Sequence, residues 1–245
     1  MEKHLLFFDI DGTILFNDRI PFRVKKAVKK AQQAGHLCFI NTGRPMCNLP
    51  KAVKKMNWDG FICAGSYVEF RGEVLESKLM PLESVKKLME YVVKDKIPTI
   101  IDCVGPSYSL YYDGWAKKLA SPEELFERFD ELKINKFEIL RPLPEEALRD
   151  LAPFAACYPM GTYVDVFVLG CNKATGMEII GKKTGVPRER MIAFGDNNND
   201  VDMLKYAGKS VAVKKASAAA IAASTYHAEK NRIGVYQGIK KYLGI

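Results

Sequence analysis

The sequence predicts an α/β protein, a doubly wound parallel sheet with a second, α+β domain inserted into it. Three observations carry this. Apolar runs alternate with helical patterns in the order strand, helix, strand, helix, strand over roughly the first 65 residues. From Tyr67 onward that alternation is lost, and strands and helices mix irregularly as far as Gly170. Beyond Gly170 the first pattern returns. The expected organisation is a core built from residues 1–80 and 171–245, with residues 81–170 as the insertion.

The run "HLLFFDI" is apolar without alternation, as a strand buried on both faces must be. "PFRVKKAVKKAQQAG" is a helix with Pro21 near its start and Gly35 at its stop. "HLCFINTG" is a strand, "RPMCNLPKAVKKM" a helix and "GFICAG" a strand. "YVEFRGEVLESKL" is a hairpin turning at Arg71-Gly72, and Pro81 opens the helix "LESVKKLMEYVVK". In the insertion, "PTIIDCV" and "SLYYD" are strands, and Ser121 caps the helix "SPEELFERFDEL". "NKFEIL" is a strand, "RPLPEEALRDLAPF" a helix and "TYVDVFVLG" a strand. The core resumes with the helix "ATGMEIIGKKTG", the strand "MIAFGD" and the helix "NDVDMLKYAG". The strand "SVAV", the helix "SAAAIAAS" and the terminal helix "GVYQGIKKYLGI" complete it. Both ends of the chain thus build one Rossmann-like core.

Composition bounds the function. At 48% hydrophobic and 27% charged, the 245 residues support an ordinary globular core. No run approaches the ~18 apolar residues of a membrane span. "HLLFFDI" is cut by Asp9, too short for a signal peptide, so a cytoplasmic location is expected. The six cysteines form no CxxC pair and sit in apolar runs, which predicts buried, reduced thiols. His4, His36 and His227 show no metal-ligand spacing and read as structural. The net charge is +8, but lysine pairs such as Lys25-Lys26, Lys29-Lys30 and Lys240-Lys241 are scattered at helical spacing, as solvated helix faces are. With no basic block and no aromatic-basic interleaving, neither nucleic acid nor membrane is the expected partner. A positive field does draw in an anionic metabolite.

In an open parallel sheet, ligands bind beyond the carboxyl ends of the strands. Four predicted strand ends are polar: Asp9 and Asp11, then Thr42-Gly43-Arg44, then Asn172-Lys173, then Asp196 with Asn199 and Asp200. On an extended chain Asp9 and Asp11 point the same way, and two close carboxylates need a cation or a shared proton. A hard divalent ion with oxygen ligands, Mg2+, meets that need, with Asp196 and Asp200 adding oxygens. The rest suits a phosphoryl group. Gly12 and Gly43 let backbone N–H groups approach an anion, Thr42 offers a hydroxyl, and Lys173 a point charge. In this arrangement Asp9 is the nucleophile that becomes an aspartyl-phosphate, and Asp11 the acid and base. Arg44 and the aromatic stretch with Tyr108 and Tyr112 are candidates for substrate contact. Asp202 reads as a helix-surface acid.

The segments "DIDGT", "NTGR", the lysine of "CNKATGM" and "GDNNND" resemble the four motifs of haloacid dehalogenase superfamily phosphatases. The position of the insertion resembles the type II capped, Cof-like branch. The resemblance implies that Asp9 is nucleophile and Mg2+ ligand, that Asp11 also offers its backbone carbonyl to the metal, and that Asp196 is a metal ligand. It implies a metal-site or supporting role for Asp200, and phosphate binding by Thr42, Lys173 and Asn199. The expected substrate is a small phosphorylated metabolite, and the chain a monomer or homodimer. Rival readings are a phosphomutase like phosphomannomutase and a non-catalytic metabolite-binding protein. The chain departs from the family at Ala64-Gly65, where Asn-Gly is common, and at Lys214-Lys215, where a Gly-Asn pair is common.

Overall fold

The computed structural model describes residues 2–230 and 232–245. Two sheets organise it. The larger takes β1 (Leu5–Phe8), β2 (Leu37–Thr42), β3 (Gly60–Cys63), β4 (Tyr67–Phe70) and β5 (Glu73–Ser77) from the first part of the chain. It takes β12 (Met191–Gly195), β13 (Lys209–Ala212) and β14 (Tyr226–His227) from the last. Their order is β14-β13-β12-β1-β2-β3-β4-β5. Pairing is parallel from β14 to β3 and antiparallel across β4 and β5. The strand order reverses between β1 and β12, and that crevice is where such sheets bind ligands.

Apolar residues of β1 and its extension divide between the two faces. Leu6, Phe8 and Ile10 pack with Val24 and Val28 of α1 (Phe22–Gln33) and Val235 and Ile239 of α10 (Gly234–Leu243). Leu5 and Phe7 pack with Met177 and Ile180 of α7 (Lys173–Thr184) and with Met203 and Leu204 of α8 (Val201–Tyr206).

The second sheet has the order β10-β11-β9-β6-β7-β8, comprising β6 (Thr99–Cys103), β7 (Tyr108–Leu110), β8 (Lys117–Lys118), β9 (Ile134–Ile139), β10 (Ala155–Pro159) and β11 (Val164–Val168). One of its faces is covered by α3 (Leu82–Lys94) and α6 (Glu145–Leu151), which share its apolar cluster. The other turns toward the carboxyl edge of the larger sheet.

Several expectations need correction. The helix expected over "RPMCNLPKAVKKM" is a 3-10 turn, Met46–Asn48, followed by the single-turn α2 (Lys51–Lys54). Pro50 forces Leu49 out of the helical region, at ψ 130°, and splits the segment. "SPEELFERFDEL" breaks at Arg128 into α4 (Pro122–Glu127) and α5 (Phe129–Leu132). The short strands β8, β10 and β14 lie outside the strands that the sequence pattern marks. Their runs of polar or small residues lack a strand signal, and pairing with neighbours supplies their order. The strand "TYVDVFVLG" ends in the second sheet, so Lys173 enters the site as the first residue of α7 rather than from a core strand end.

Candidate active site

The carboxyl ends of β1, β2 and β12 converge with the start of α7. Lys173 is buried, and its ammonium donates to Asp9 Oδ1 at 2.6 Å and to Asp200 Oδ1 at 2.5 Å. Asn41, fully buried in β2, donates from Nδ2 to the Lys173 carbonyl at 3.0 Å and so fixes the start of α7 against the strand edge. Asn172 caps that helix, accepting from the Ala174 and Thr175 amides. Asp200 accepts the backbone N–H groups of Asp196 and Asn197 on its other oxygen, at 2.8 and 3.0 Å. Thr13 donates to Asp196 Oδ1 at 2.9 Å.

Asp9, Asp196 and Asp200 each offer an oxygen within 4.8 Å of the others. Burial raises the Asp9 carboxyl well above its usual range; Lys173 pulls against this, while Asp200 and Asp196 add to it. Burial and the Asp200 charge raise Asp196 to about 7. Burial opposes the Lys173 charge, but Asp200 and Asp9 more than offset it and its pKa is raised. One ammonium among three carboxylates leaves the cluster short of positive charge, which is the electrostatic condition of a divalent cation site. Gly12, at φ +81°, passes so close that a Cβ there would lie 2.3 Å from Asp196 Oδ2.

Asp11 does not join that cluster. Past Ile10 the strand gives way to a turn, with the amides of Thr13, Ile14 and Leu15 all donating to the Ile10 carbonyl. The alternation that would align Asp9 with Asp11 therefore stops at Ile10. Asp9 meets Asp196 and Asp200 instead, and the Asp11 side chain, 53% exposed, is held bidentately by Arg44 at 2.6 and 2.9 Å.

A cavity of about 680 Å3 opens beside this cluster, between the two sheets. From the larger sheet Asp11, Thr42, Gly43, Arg44 and Asn199 line it. Thr42 Oγ1 accepts the Arg44 amide, and a Cβ on Gly43 would lie 3.3 Å from Asn199 Nδ2. Tyr112 lines the cavity; Tyr108 does not, because its hydroxyl accepts from Arg128 on the far side of β7.

The opposite wall was missed by sequence reasoning. Lys136, Glu138, Asp165, Trp115 and Tyr163 all line the cavity. The Lys136 ammonium is buried, 2.7 Å from Asp165 Oδ1 and 3.1 Å from Glu138 Oε1. Asn199 Nδ2 lies 3.5 Å from Asp165 Oδ2, linking this wall to the larger sheet. The usable signal was the charge inside otherwise apolar strands: Lys136 and Glu138 two apart in "NKFEIL", and Asp165 in "VDVFV". Asp202 is likewise no simple surface acid, since it accepts from Tyr158 of β10 at 2.7 Å and from Asn172 at 3.1 Å.

The haloacid dehalogenase-like hydrolase family model matches residues 6–239. The chain belongs to this family. It is 26% identical to the 5-amino-6-(5-phospho-D-ribitylamino)uracil phosphatase YitU of Bacillus subtilis, covering 100% of this chain and 99% of that protein. It is 24% identical to the HMP-PP phosphatase of Serratia proteamaculans, over 86% of this chain and 84% of that one. Among solved structures, the subclass IIB sugar phosphatase BT4131 superposes with a TM-score of 0.84 at 25% identity, covering 99% of this chain and 100% of that one. This family member is a hydrolase of phosphate monoesters. The departure at Ala64-Gly65 lies in the β3–β4 turn, where Ala64 takes φ +50° and borders a cavity of about 130 Å3 shared with Cys103 and Asn135. Lys214 and Lys215 are exposed and do not line the main cavity.

Proposed function

We propose that this protein is a Mg2+-dependent phosphatase that hydrolyses the monoester of a small, hydroxyl-rich metabolite through an aspartyl-phosphate on Asp9. The observation that carries it is Lys173 bridging Asp9 and Asp200, with the oxygens of Asp9, Asp196 and Asp200 gathered within 4.8 Å. Asp9 and Asp196, supported by Asp200 and joined by the Asp11 carbonyl, would hold the cation. When bound, it would neutralise the carboxylates and draw charge from the phosphoryl oxygens.

Lys173 holds Asp9 Oδ1, which leaves Oδ2 to form the bond to phosphorus as the ester P–O bond breaks. Asp11 gives its proton to the departing alkoxide and then takes one from the water that attacks the aspartyl-phosphate. Free phosphate and the Asp9 carboxylate result. For this Asp11 must leave Arg44, and Arg44 is then free to meet the substrate. Thr42 and Asn199 hold phosphoryl oxygens, with the N–H groups around Gly12 and Gly43.

The cavity supports a single-phosphate substrate. On the second sheet the one cation lining it among the described residues, Lys136, is already paired with Asp165 and Glu138. A mutase would need unpaired cations on the second sheet for another phosphate. Glu138 and Asp165 instead offer acceptors for hydroxyls, and Tyr112 and Trp115 offer rings for a flat group. A ribityl chain on a uracil ring, as in the name of the B. subtilis relative, has both features.

The test is phosphate release from sugar phosphates, nucleotides, flavin mononucleotide, pyridoxal phosphate and the ribitylaminouracil phosphate. Assays run with Mg2+, with EDTA and with Asp9→Asn. Turnover that needs Mg2+ and falls at least about a thousandfold in the variant supports the reading. Turnover indifferent to Asp9 sinks it.

A further inference from the structure

The fold collects positive charge on a face remote from the phosphatase cavity. Helices α1 and α10 lie some 200 residues apart in sequence yet pack side by side. Neither contains a carboxylate: the segments read FRVKKAVKKAQQ and GVYQGIKKYL. Two grooves run along their junction, about 470 and 480 Å3 in volume, and share Arg23, Tyr236 and Lys240. The first groove adds Lys26, Lys30 and Phe22, and the second adds Lys241 and Tyr226. No acidic side chain lines either groove among the described residues.

Some lysines elsewhere on the surface are paired with carboxylates, as Lys87 is with Asp150 and Lys183 with Glu73. Arg23, Lys26, Lys30, Lys240 and Lys241 form no ion pair among the described residues. Two of them lie over rings: Arg23 is 6.0 Å from the Tyr236 centroid and Lys241 4.8 Å from that of Tyr226. Phe22 is 78% exposed at the mouth of the first groove. The lysines of both helices are solvated, as expected, but rings stand beside two of the cations across elements rather than along one helix.

We propose that this face binds single-stranded nucleic acid, its phosphates on the cations and its bases against Phe22 and Tyr236. Cations beside one exposed ring, Phe22, and the half-buried rings of Tyr236 and Tyr226 fit an unpaired strand, which offers both backbone charge and free base faces. A duplex hides its base faces, and a membrane-surface helix needs a broad exposed apolar face. The outer side of α1 instead presents Lys25, Lys26, Lys29 and Lys30, with Phe22 at one end.

The experiment is fluorescence anisotropy of a labelled, roughly 12-nucleotide single-stranded RNA without a terminal phosphate, so that the catalytic cavity has no monoester to hold. Parallel arms use the matching duplex and phosphatidylserine vesicles. If the five cations each displace a counterion, the log–log salt slope is about −3.5, and affinity falls about 100-fold between about 50 and 200 mM salt. The double variant Lys26→Glu/Lys240→Glu should reduce the slope to about −2 and weaken binding at least about tenfold at the lower salt. Phe22→Ala should weaken it at least about fivefold. Thermal unfolding of both variants checks that the fold is kept. Absence of RNA binding, binding that both folded variants share with the wild type, or preference for duplex or vesicles overturns the proposal.

Discussion

Replacing Lys173 by Met tests whether the site is held together by one ammonium. The substitution nearly preserves shape and removes only the charge. Lys173 is 3% exposed and lies 2.6 and 2.5 Å from Asp9 and Asp200, so its loss leaves Asp9, Asp196 and Asp200 facing one another without a counter-charge. Removing one partner of a buried pair costs about 3–5 kcal/mol. For a chain of this size that lowers Tm by about 6–20 °C. The pH dependence gives the sharper test. The raised Lys173 pKa keeps the ammonium charged below its ordinary value near 10.4, so its own ionisation adds no pH dependence between about pH 5 and 8. The carboxyls behave oppositely. Asp9 is raised well above its usual range and Asp196 to about 7, so their ionised forms penalise the folded state, and the penalty grows as pH rises above about 4 toward those values. Without Lys173 the penalty deepens. The deficit in Tm should therefore be largest near pH 8 and less than half as large near pH 5, where protons replace the missing charge. Thermal unfolding followed by circular dichroism in EDTA measures it. A Met variant as stable as the wild type at pH 8, or equally impaired at both pH values, would refute the electrostatic account.

Three further outcomes follow from other parts of the structure. Ala64→Asn should raise Tm by about 2–4 °C, because Asn tolerates the φ of +50° that costs Ala about 1 kcal/mol, and its amide can enter the adjoining 130 Å3 cavity, where Asn135 Nδ2 is buried without an acceptor; an unchanged or lower Tm contradicts this. Burial, partly offset by Lys136, raises Asp102 to about 6, so its ionisation penalises folding by up to about 3 kcal/mol as pH rises from about 4 to 6. Urea unfolding should show Asp102→Asn gaining on the wild type over that range, and a pH-independent difference counts against it. Tyr158→Phe removes the 2.7 Å hydrogen bond from β10 to Asp202. It should cost about 1–2 kcal/mol and speed amide exchange in β10, with unaltered exchange there as the contrary result.

The core was legible where physical signals were local. Continuous apolar runs marked β1, β2, β3 and β12, and proline and glycine marked both ends of α1. Local signals failed where two rules competed. The apolar spacing in "RPMCNLPKAVKKM" is helical, but Pro50 overrides it. Strands β8 and β14, two residues each, owe their conformation to neighbours rather than to their own propensity. Among site residues, Asp9, Asp196 and Asp200 could be grouped because polar residues at or just past the ends of apolar strands of one parallel sheet share one edge, whereas Lys173 was grouped with them from a strand that belongs to the second sheet and reaches the site from the start of α7 instead. Asn41 escaped notice because a buried amide within "NTGR" looks like any other strand residue until the helix it anchors is known.

Spacing arguments also carry a hidden premise, that the secondary structure continues. Two carboxylates at positions i and i+2 face the same way only on an unbroken strand, and the turn after Ile10 breaks it, so the repulsion expected between Asp9 and Asp11 falls on Asp9, Asp196 and Asp200 instead. The chemical demand for a cation is the same, but the residues that create it lie about 190 positions apart. The lysines of α1 and α10 follow the same logic from the outside. A helical period shows which residues of one helix face the core, and it correctly buries Val24, Val28, Val235 and Ile239. It says nothing about which solvated face stands beside which. Burying those four side chains against one sheet face is what forces the two carboxylate-free helices together. Much of the chain's excess charge of +8 is therefore concentrated there as a consequence of core packing, and whether that concentration is used is decided by the salt slope and its response to Lys26→Glu/Lys240→Glu.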